Sequence, residues 1–396
     1  MSIGLLTFHR QLNYGGVLQA LALHDTLQEL THRSVETIDL WLNPRDTPLL
    51  GKVHNPNLPL YSRLRNALKA RKTPFGREAF ELRRKKTKHL IETRLNLSAK
   101  HYRSSRDLQH LPHYETVVVG SDQVWNYDLL SAFSTNPWLT PDFPPNQDRI
   151  AYAASFGVSE LPETLIPIYQ TGLGQFRAVT IREASGCSLF KQLMGQGWDV
   201  ESPVVDPTLL RTRTQWEQEI TEHSHLYTPP HTYLLCYWLD ALSPARIQWL
   251  HNVSVQHGLP VILLVSAPLQ WLPDAGDWLT VRFDADPLDF VALIAHAQGI
   301  ITDSFHGLQF SAIFKRPIVC CVGQDTSGNS ATARFHDFCD RYGVPEVCQP
   351  GERIQTSPYI PFVPLERNLD VTRLEHDRET SLQRLQAMLT PILSNH

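Results

Sequence analysis

Short runs of almost unbroken apolar residues alternate along this chain with stretches in which apolar residues recur every three or four positions. IGLLTF is followed by GGVLQALALHDTLQEL, TYLLCYWL by PARIQWLHNVSVQHG, and GIITD by SFHGLQFSAIFK and then RPIVCCV. A strand without polar alternation is covered on both faces, and a helix between two such strands carries the chain back over the sheet. This order predicts an α/β architecture of parallel sheets clad in helices. With 396 residues the chain exceeds what a single core usually holds, so two Rossmann-like, doubly wound domains are expected. The expected division is residues 1–170, residues 171–345, and a tail over 346–396. The tail ends in a helical pattern carrying Leu374, Leu382, Leu385 and Leu389, expected to cross back onto the first domain.

Several classes are not expected. No stretch reaches the roughly 18 apolar residues of a membrane span, and MSIGLLTF meets charge too soon for a secretory leader. The six cysteines include no C-x-x-C pair and read as free thiols of a reducing compartment, so a cytoplasmic location is expected. The histidines show no zinc-type spacing, His223 and His225 read as solvated, and neither metal nor other cofactor is assigned.

Residues 62–106 stand apart, with 15 Lys or Arg against three Glu. That leaves a local +12 on a body of −16, for the overall −4. A segment of this kind suits an anionic surface, and the expectation is peripheral contact with the inner face of a membrane or with a diphosphate-linked lipid acceptor; a solvated insertion is the plainer alternative. Nucleic acid is not expected, because the whole is acidic and no reader motif is present.

Chemistry is sought where parallel strands end and helices begin, because unpaired N–H groups there attract anions. Three junctions carry polar or glycine residues. The first holds Asn13, Tyr14, Gly15 and Gly16; the second, VVVGSDQVWN, holds Ser121, Asp122 and Gln123; the third, ITDSFHG, holds Asp303, Ser304 and His306. The positive end of a helix disfavours imidazolium, which suits His306 to proton transfer near neutral pH. VTIREASG adds Arg182 and Glu183 at a strand end, where guanidinium meets carboxylate or phosphate in a fork. Asp206, in PVVDPTLL, reads as a turn residue before Pro207, and Arg334 opens a further helix as a second cation.

Taken in order, TFHRQLNYGGVLQALAL, VVVGSDQVWN, RIAYAASFG, VTIREASG, VVDPTLL, ITDSFHGLQFSAIFKRPIV and SATARFHDFC resemble the polysaccharide pyruvyltransferase family over nearly the whole chain. The resemblance implies a GT-B-like fold, with an acceptor domain first and a donor domain second. It implies transfer of an enolpyruvyl unit from phosphoenolpyruvate to two hydroxyls of a sugar, in a polysaccharide or its lipid-linked precursor, with a pyruvate ketal formed and phosphate released. The family's arginine and histidine fall on Arg182 and His306. Many members carry arginine two residues before that histidine, whereas this chain has Ser304; Arg334, or as a second choice Lys315, is expected to supply the missing cation. In this reading His306 donates a proton, Asp122 or Asp303 orients it or accepts protons, and Arg182 stabilises developing charge. The competing readings are a nucleotide-sugar glycosyltransferase on the same fold and a non-catalytic sugar- or membrane-binding protein.

Overall fold

The computed structural model describes residues 2–41, 75–130, 136–140, 142–223, 232–239, 242–271, 276–320, 331–344 and 362–393. The start of the basic segment, His225, Cys321, Ser330, Cys348 and the prolines at 358 and 361 lie outside the described residues.

The first sheet is built from β1 (Ile3–Leu6), β2 (Val35–Thr37), β3 (Val117–Val119), β4 (Arg149–Ala154) and β5 (Ala178–Ile181), all parallel, in the order β2-β1-β3-β4-β5. Its helices are α1 (Tyr14–Thr31), α2 (Arg77–Arg94), α3 (Tyr127–Leu130), α4 (Ile166–Leu173) and α5 (Ala184–Met194). A connection with α6 (Pro207–Leu210) and α7 (Arg213–His223) leads to the second sheet. That sheet holds β6 (Leu234–Trp238), β7 (Val261–Val265), β8 (Leu279–Arg282), β9 (Gly299–Thr302) and β10 (Ile318–Cys320), parallel, in the order β10-β9-β6-β7-β8. Around it lie α8 (Pro244–His257), α9 (Pro287–His296), α10 (Phe305–Ile313) and α11 (Ala331–Arg341), and the tail adds α12 (Leu365–Asn368) and α13 (Val371–Leu393).

Local chemistry explains these elements. The strands β1, β3, β4, β6, β7, β9 and β10 are buried at every residue, as unbroken apolar runs require, whereas the edge strand β8 buries Leu279 alone. The helix α9 starts at a capping box, with Asp286 accepting from Asp289 N and Asp289 returning to Asp286 N, and with Pro287 in the first turn. Gly258, at φ 62°, closes α8 in the left-handed conformation.

One boundary moves. β5 pairs with β4, so the first sheet closes after residue 181, beyond the expected limit of 170, and Arg182 belongs to the first domain. A four-residue strand can pair with either sheet on propensity alone; the register against β4 decides.

The two domains share a core. Tyr14, at the start of α1, is 1% exposed; its ring stacks on Phe290 at 4.6 Å and its hydroxyl donates to Ala285 O at 3.0 Å. In α2, Phe80, Arg83, Thr87, Leu90 and Ile91 form the buried face. Arg83 donates to Leu12 O in the first domain at 2.5 Å and to Val265 O in the second at 3.1 Å, and it lies over the Tyr14 ring at 4.1 Å. Lys86 pairs with Asp289, and Arg94 with Asp25 and Glu219. On the outer face, Glu78, Glu81 and Glu92 stand among Arg77, Arg84, Lys85 and Lys88, with Arg84–Glu81 at 3.2 Å and Lys88–Glu92 at 3.7 Å. The described part of the basic segment therefore turns much of its charge inward or balances it, and gives the expected membrane contact no support. The tail helix α13 lies against the first domain: its Ser381 hydroxyl accepts from Val205 N at 3.0 Å, and Arg177 donates to Met388 O at 3.0 Å. Among the described residues no helix is long and apolar enough to cross a membrane.

Candidate active site

The carboxyl ends of the two sheets face each other, and an ionic cluster fills the junction. Arg182, just past β5, has a side chain 2% exposed. It donates from Nη1 to Asp206 Oδ2 at 2.6 Å and from Nη2 to Asp122 Oδ1 at 3.0 Å, while Nε stands 3.9 Å from Glu183 Oε2. Asp122 follows β3 in the left-handed region at φ 68°, which turns its carboxylate across the sheet end toward Arg182. Asp206 caps α6, its Oδ1 accepting from Thr208 N at 3.0 Å and Thr208 Oγ1 at 2.8 Å. That leaves Oδ2 to face both Arg182 and, at 3.7 Å, His306 Nε2.

The histidine is placed by two helix starts. Ser304 caps α10, accepting from Gly307 N at 3.3 Å, so His306 falls in the first turn. Its ring lies against the start of α1, where a Cβ on Gly15 would come within 2.0 Å of His306 Nδ1. His306 is 7% exposed, and its Nε2 is buried without a hydrogen-bond partner.

Beside this cluster lies a cavity of about 420 Å³. Its lining includes Arg182, Asp206 and Phe305 together with Arg334 and Asp337 of α11. Arg334 forms no ion pair within 4 Å among the described residues; its guanidinium is met by the Gln123 amide, whose oxygen, turned toward it, accepts at 2.8 and 3.0 Å. Burial, and after it the neighbouring Arg182, push the Arg334 guanidinium down to about 10. Burial works against the charge of Arg182 as well, but Asp122, Asp206 and Glu183 hold it above the ordinary arginine value. Burial alone would raise Asp206, yet His306 and Arg182 keep it well below the usual carboxylate range.

The sequence-derived candidates thus divide. Arg182, Asp122, Gln123, His306, Gly15 and Arg334 come together. Gly16 borders the cluster: a Cβ on it would stand 3.8 Å from Asp122 Oδ2. Asn13 caps α1 by accepting from Gly15 N at 3.0 Å, and Tyr14 is consumed by packing between the domains. Ser121 is fully buried, donating to Ala153 O at 2.9 Å. Asp303 turns toward β6, accepting from Leu239 N at 2.6 Å, so the carboxylate beside His306 is Asp206 rather than its sequence neighbour. Lys315 is exposed just beyond Phe314, the C-cap of α10, at the end of the helix opposite His306. Asp206 and Asp337 escaped the sequence reading as site residues. An Asp-Pro pair at a strand end was the signal for Asp206; nothing local marks Asp337. Among the described residues no group of three or more His, Cys, Asp or Glu is placed to hold a metal ion.

A sequence model of polysaccharide pyruvyl transferases matches residues 13–325. The chain belongs to that family. Family membership makes it a transferase of polysaccharide biosynthesis, with a polysaccharide acceptor. Among proteins of curated function none matches its sequence. The fold is of the GT-B type. The UDP-GlcNAc 2-epimerase of Methanocaldococcus jannaschii is similar over 98% of this chain and 99% of its own, at 11% identity and a TM-score of 0.52. The ADP-heptose LPS heptosyltransferase II of E. coli is similar over 98% and 100%, at 13% identity and a TM-score of 0.35. At such identities the first likeness speaks for the fold alone.

Proposed function

We propose that this pyruvyltransferase moves the enolpyruvyl unit of phosphoenolpyruvate onto two hydroxyls of a sugar in its polysaccharide acceptor, closing a pyruvate ketal and releasing phosphate. The observation that carries this reading is Arg334, a guanidinium without a carboxylate partner among the described residues, on the wall of a cavity that also holds Arg182. Phosphoenolpyruvate is a small polyanion with a carboxylate and a phosphate, and two guanidiniums suit its two ends. Arg334 thereby serves as the cation that Ser304 does not provide.

The proton bookkeeping fits the residues. One sugar hydroxyl proton must reach the methylene carbon, which becomes the methyl group, and the second leaves with phosphate. His306, oriented by Asp206, is assigned as donor to the methylene carbon. Asp206 also holds Arg182, so the acid and the anion-binding guanidinium are fixed by a single carboxylate.

The test is incubation with phosphoenolpyruvate and a panel of hexosides, scoring phosphate release together with the mass gain of a ketal. With an active acceptor in hand, His306→Ala is expected to lower turnover by about 10²–10⁴ while leaving donor binding intact. Arg334→Met is expected to weaken donor binding about 10–100-fold, the worth of one or two charge-assisted hydrogen bonds. Tight binding of a nucleoside diphosphate and none of phosphoenolpyruvate refutes the reading.

A further inference from the structure

The cavity wall carries four guanidiniums, of Arg182, Arg334, Arg341 and Arg373, and four carboxyl groups, of Glu183, Asp206, Asp337 and Asp340. With every group ionised the wall is neutral, a poor setting for a dianion. Asp206 is committed to Arg182. Glu183 differs. It is 4% exposed; its Oε1 accepts from Phe156 N at 3.0 Å and Gly157 N at 3.5 Å, and Gly186 leaves it room, since a Cβ there would stand 2.8 Å from Oε1. Its second oxygen, Oε2, is buried with no hydrogen-bond partner. The cation 3.9 Å away, Arg182 Nε, is likewise buried and unpartnered. An ionised oxygen in that position lacks both water and a donor, whereas a proton on it removes the charge that burial penalises.

We propose that the cavity takes up a phosphate-like dianion together with one proton, and that the proton lodges on Glu183. Bringing two negative charges beside a carboxylate whose Oε2 has no donor raises the cost of leaving it ionised, and protonation turns the neutral wall positive. The groups around Glu183 agree with this. Arg182 and Arg334 draw it toward the ionised state, as do Ser155 and the Gly157 N–H after β4, but burial outweighs them and holds the carboxyl above its ordinary value. Across the interface Asp337, on α11, adds no cation: its own Oδ2 is buried without a partner, and burial raises it too. On α5, Cys187 stays a neutral thiol, pushed up to about 12 by burial and by Glu183. Asp122 and Asp206 remain engaged with Arg182, and His306 faces Asp206 Oδ2 at 3.7 Å.

This inference rests on the donor reading above only in assigning an anion to the cavity. Sulfate, which stays a dianion throughout the working range and is no substrate, tests it separately. Sulfate affinity of the full chain is measured by thermal shift and calorimetry from pH 5.5 to 8.5. Between the free-protein value of Glu183 and its higher value in the complex, the wild type is expected to lose about tenfold in affinity per pH unit, the slope of one linked proton. Glu183→Gln resembles the protonated form and still accepts through Oε1 from Phe156 and Gly157. It is expected to bind with a nearly flat pH dependence and, at pH 8, at least tenfold more tightly than wild type. Asp337→Asn and His306→Gln are expected to keep the wild-type slope.

A pH-independent wild type overturns the proposal, as does a Glu183→Gln slope equal to that of wild type, or a slope abolished by either of the other two substitutions. Should Glu183→Gln fail to fold, wild-type calorimetry in two buffers of different ionisation enthalpy still decides: uptake of about one proton per sulfate supports the inference, and none refutes it. If the sulfate slope appears while phosphoenolpyruvate is never turned over, the donor reading falls alone.

Discussion

Gly15 lacks a side chain where the His306 imidazole passes, and this contact joins the two domains at the proposed proton donor. Gly15→Ala puts a methyl within 2.0 Å of Nδ1 and must displace the ring. Because a shift of about 1 Å at a reacting group can cost 10²-fold, kcat is expected to fall about that far while the thermal melt changes little. Asp206 offers a different test, since its carboxylate is held well below the ordinary range. A depressed carboxylate stabilises the folded state above its unfolded value, about pH 4, and that contribution is lost only as pH falls toward the depressed one. Asp206→Asn leaves Arg182 short of a buried partner and is expected to cost about 3–5 kcal/mol at neutral pH in denaturant melts. The gap to wild type should close below about pH 4. His306 and Arg182 were legible because strand ends and helix starts are local features of a sequence. The role of Asp206 was not, because a turn residue and the anchor of an arginine 24 positions away carry the same local pattern.

Among the elements, α2 departs most from its sequence appearance. Its charge suggested an outward, anion-seeking surface, yet Arg83 is 1% exposed and ties Leu12 O to Val265 O. A charge count cannot say which face a guanidinium takes; the helix period can, and Phe80, Arg83, Thr87, Leu90 and Ile91 share one stripe. Arg83→Met retains much of the stem but leaves the two carbonyls without their donor. A loss of about 1–3 kcal/mol for each buried carbonyl left unsatisfied is expected in chemical denaturation. The buried strands followed their sequence closely, because an unbroken apolar run is itself the record of burial on both faces. The edge strands β2 and β8 carry no such run and went unread, and the four residues of β5 suit either domain and join the first through pairing with β4.

At the scale of the molecule, two parallel sheets meet end to end around one ionic cluster, and the C-terminal helix α13 returns to close the first domain. A ligand that bridges the domains should therefore stabilise the whole chain: phosphoenolpyruvate at 100 times its Kd is expected to add about 2.7 kcal/mol, visible as a raised Tm. Arg334→Met should shrink that gain at the same ligand concentration. The alternation of apolar runs and helical periods determined the α/β class and the two parallel sheets, because burial and backbone hydrogen bonding act over a few residues at a time. The strand-end motifs likewise singled out candidates for chemistry. Only the tertiary structure decided which of them meet. Asp303 and Lys315 lie close to His306 in sequence yet turn away from it, whereas Asp206, a hundred positions distant, stands 3.7 Å from the imidazole and holds the arginine beside it. Packing between domains sets those distances, and no local propensity encodes them.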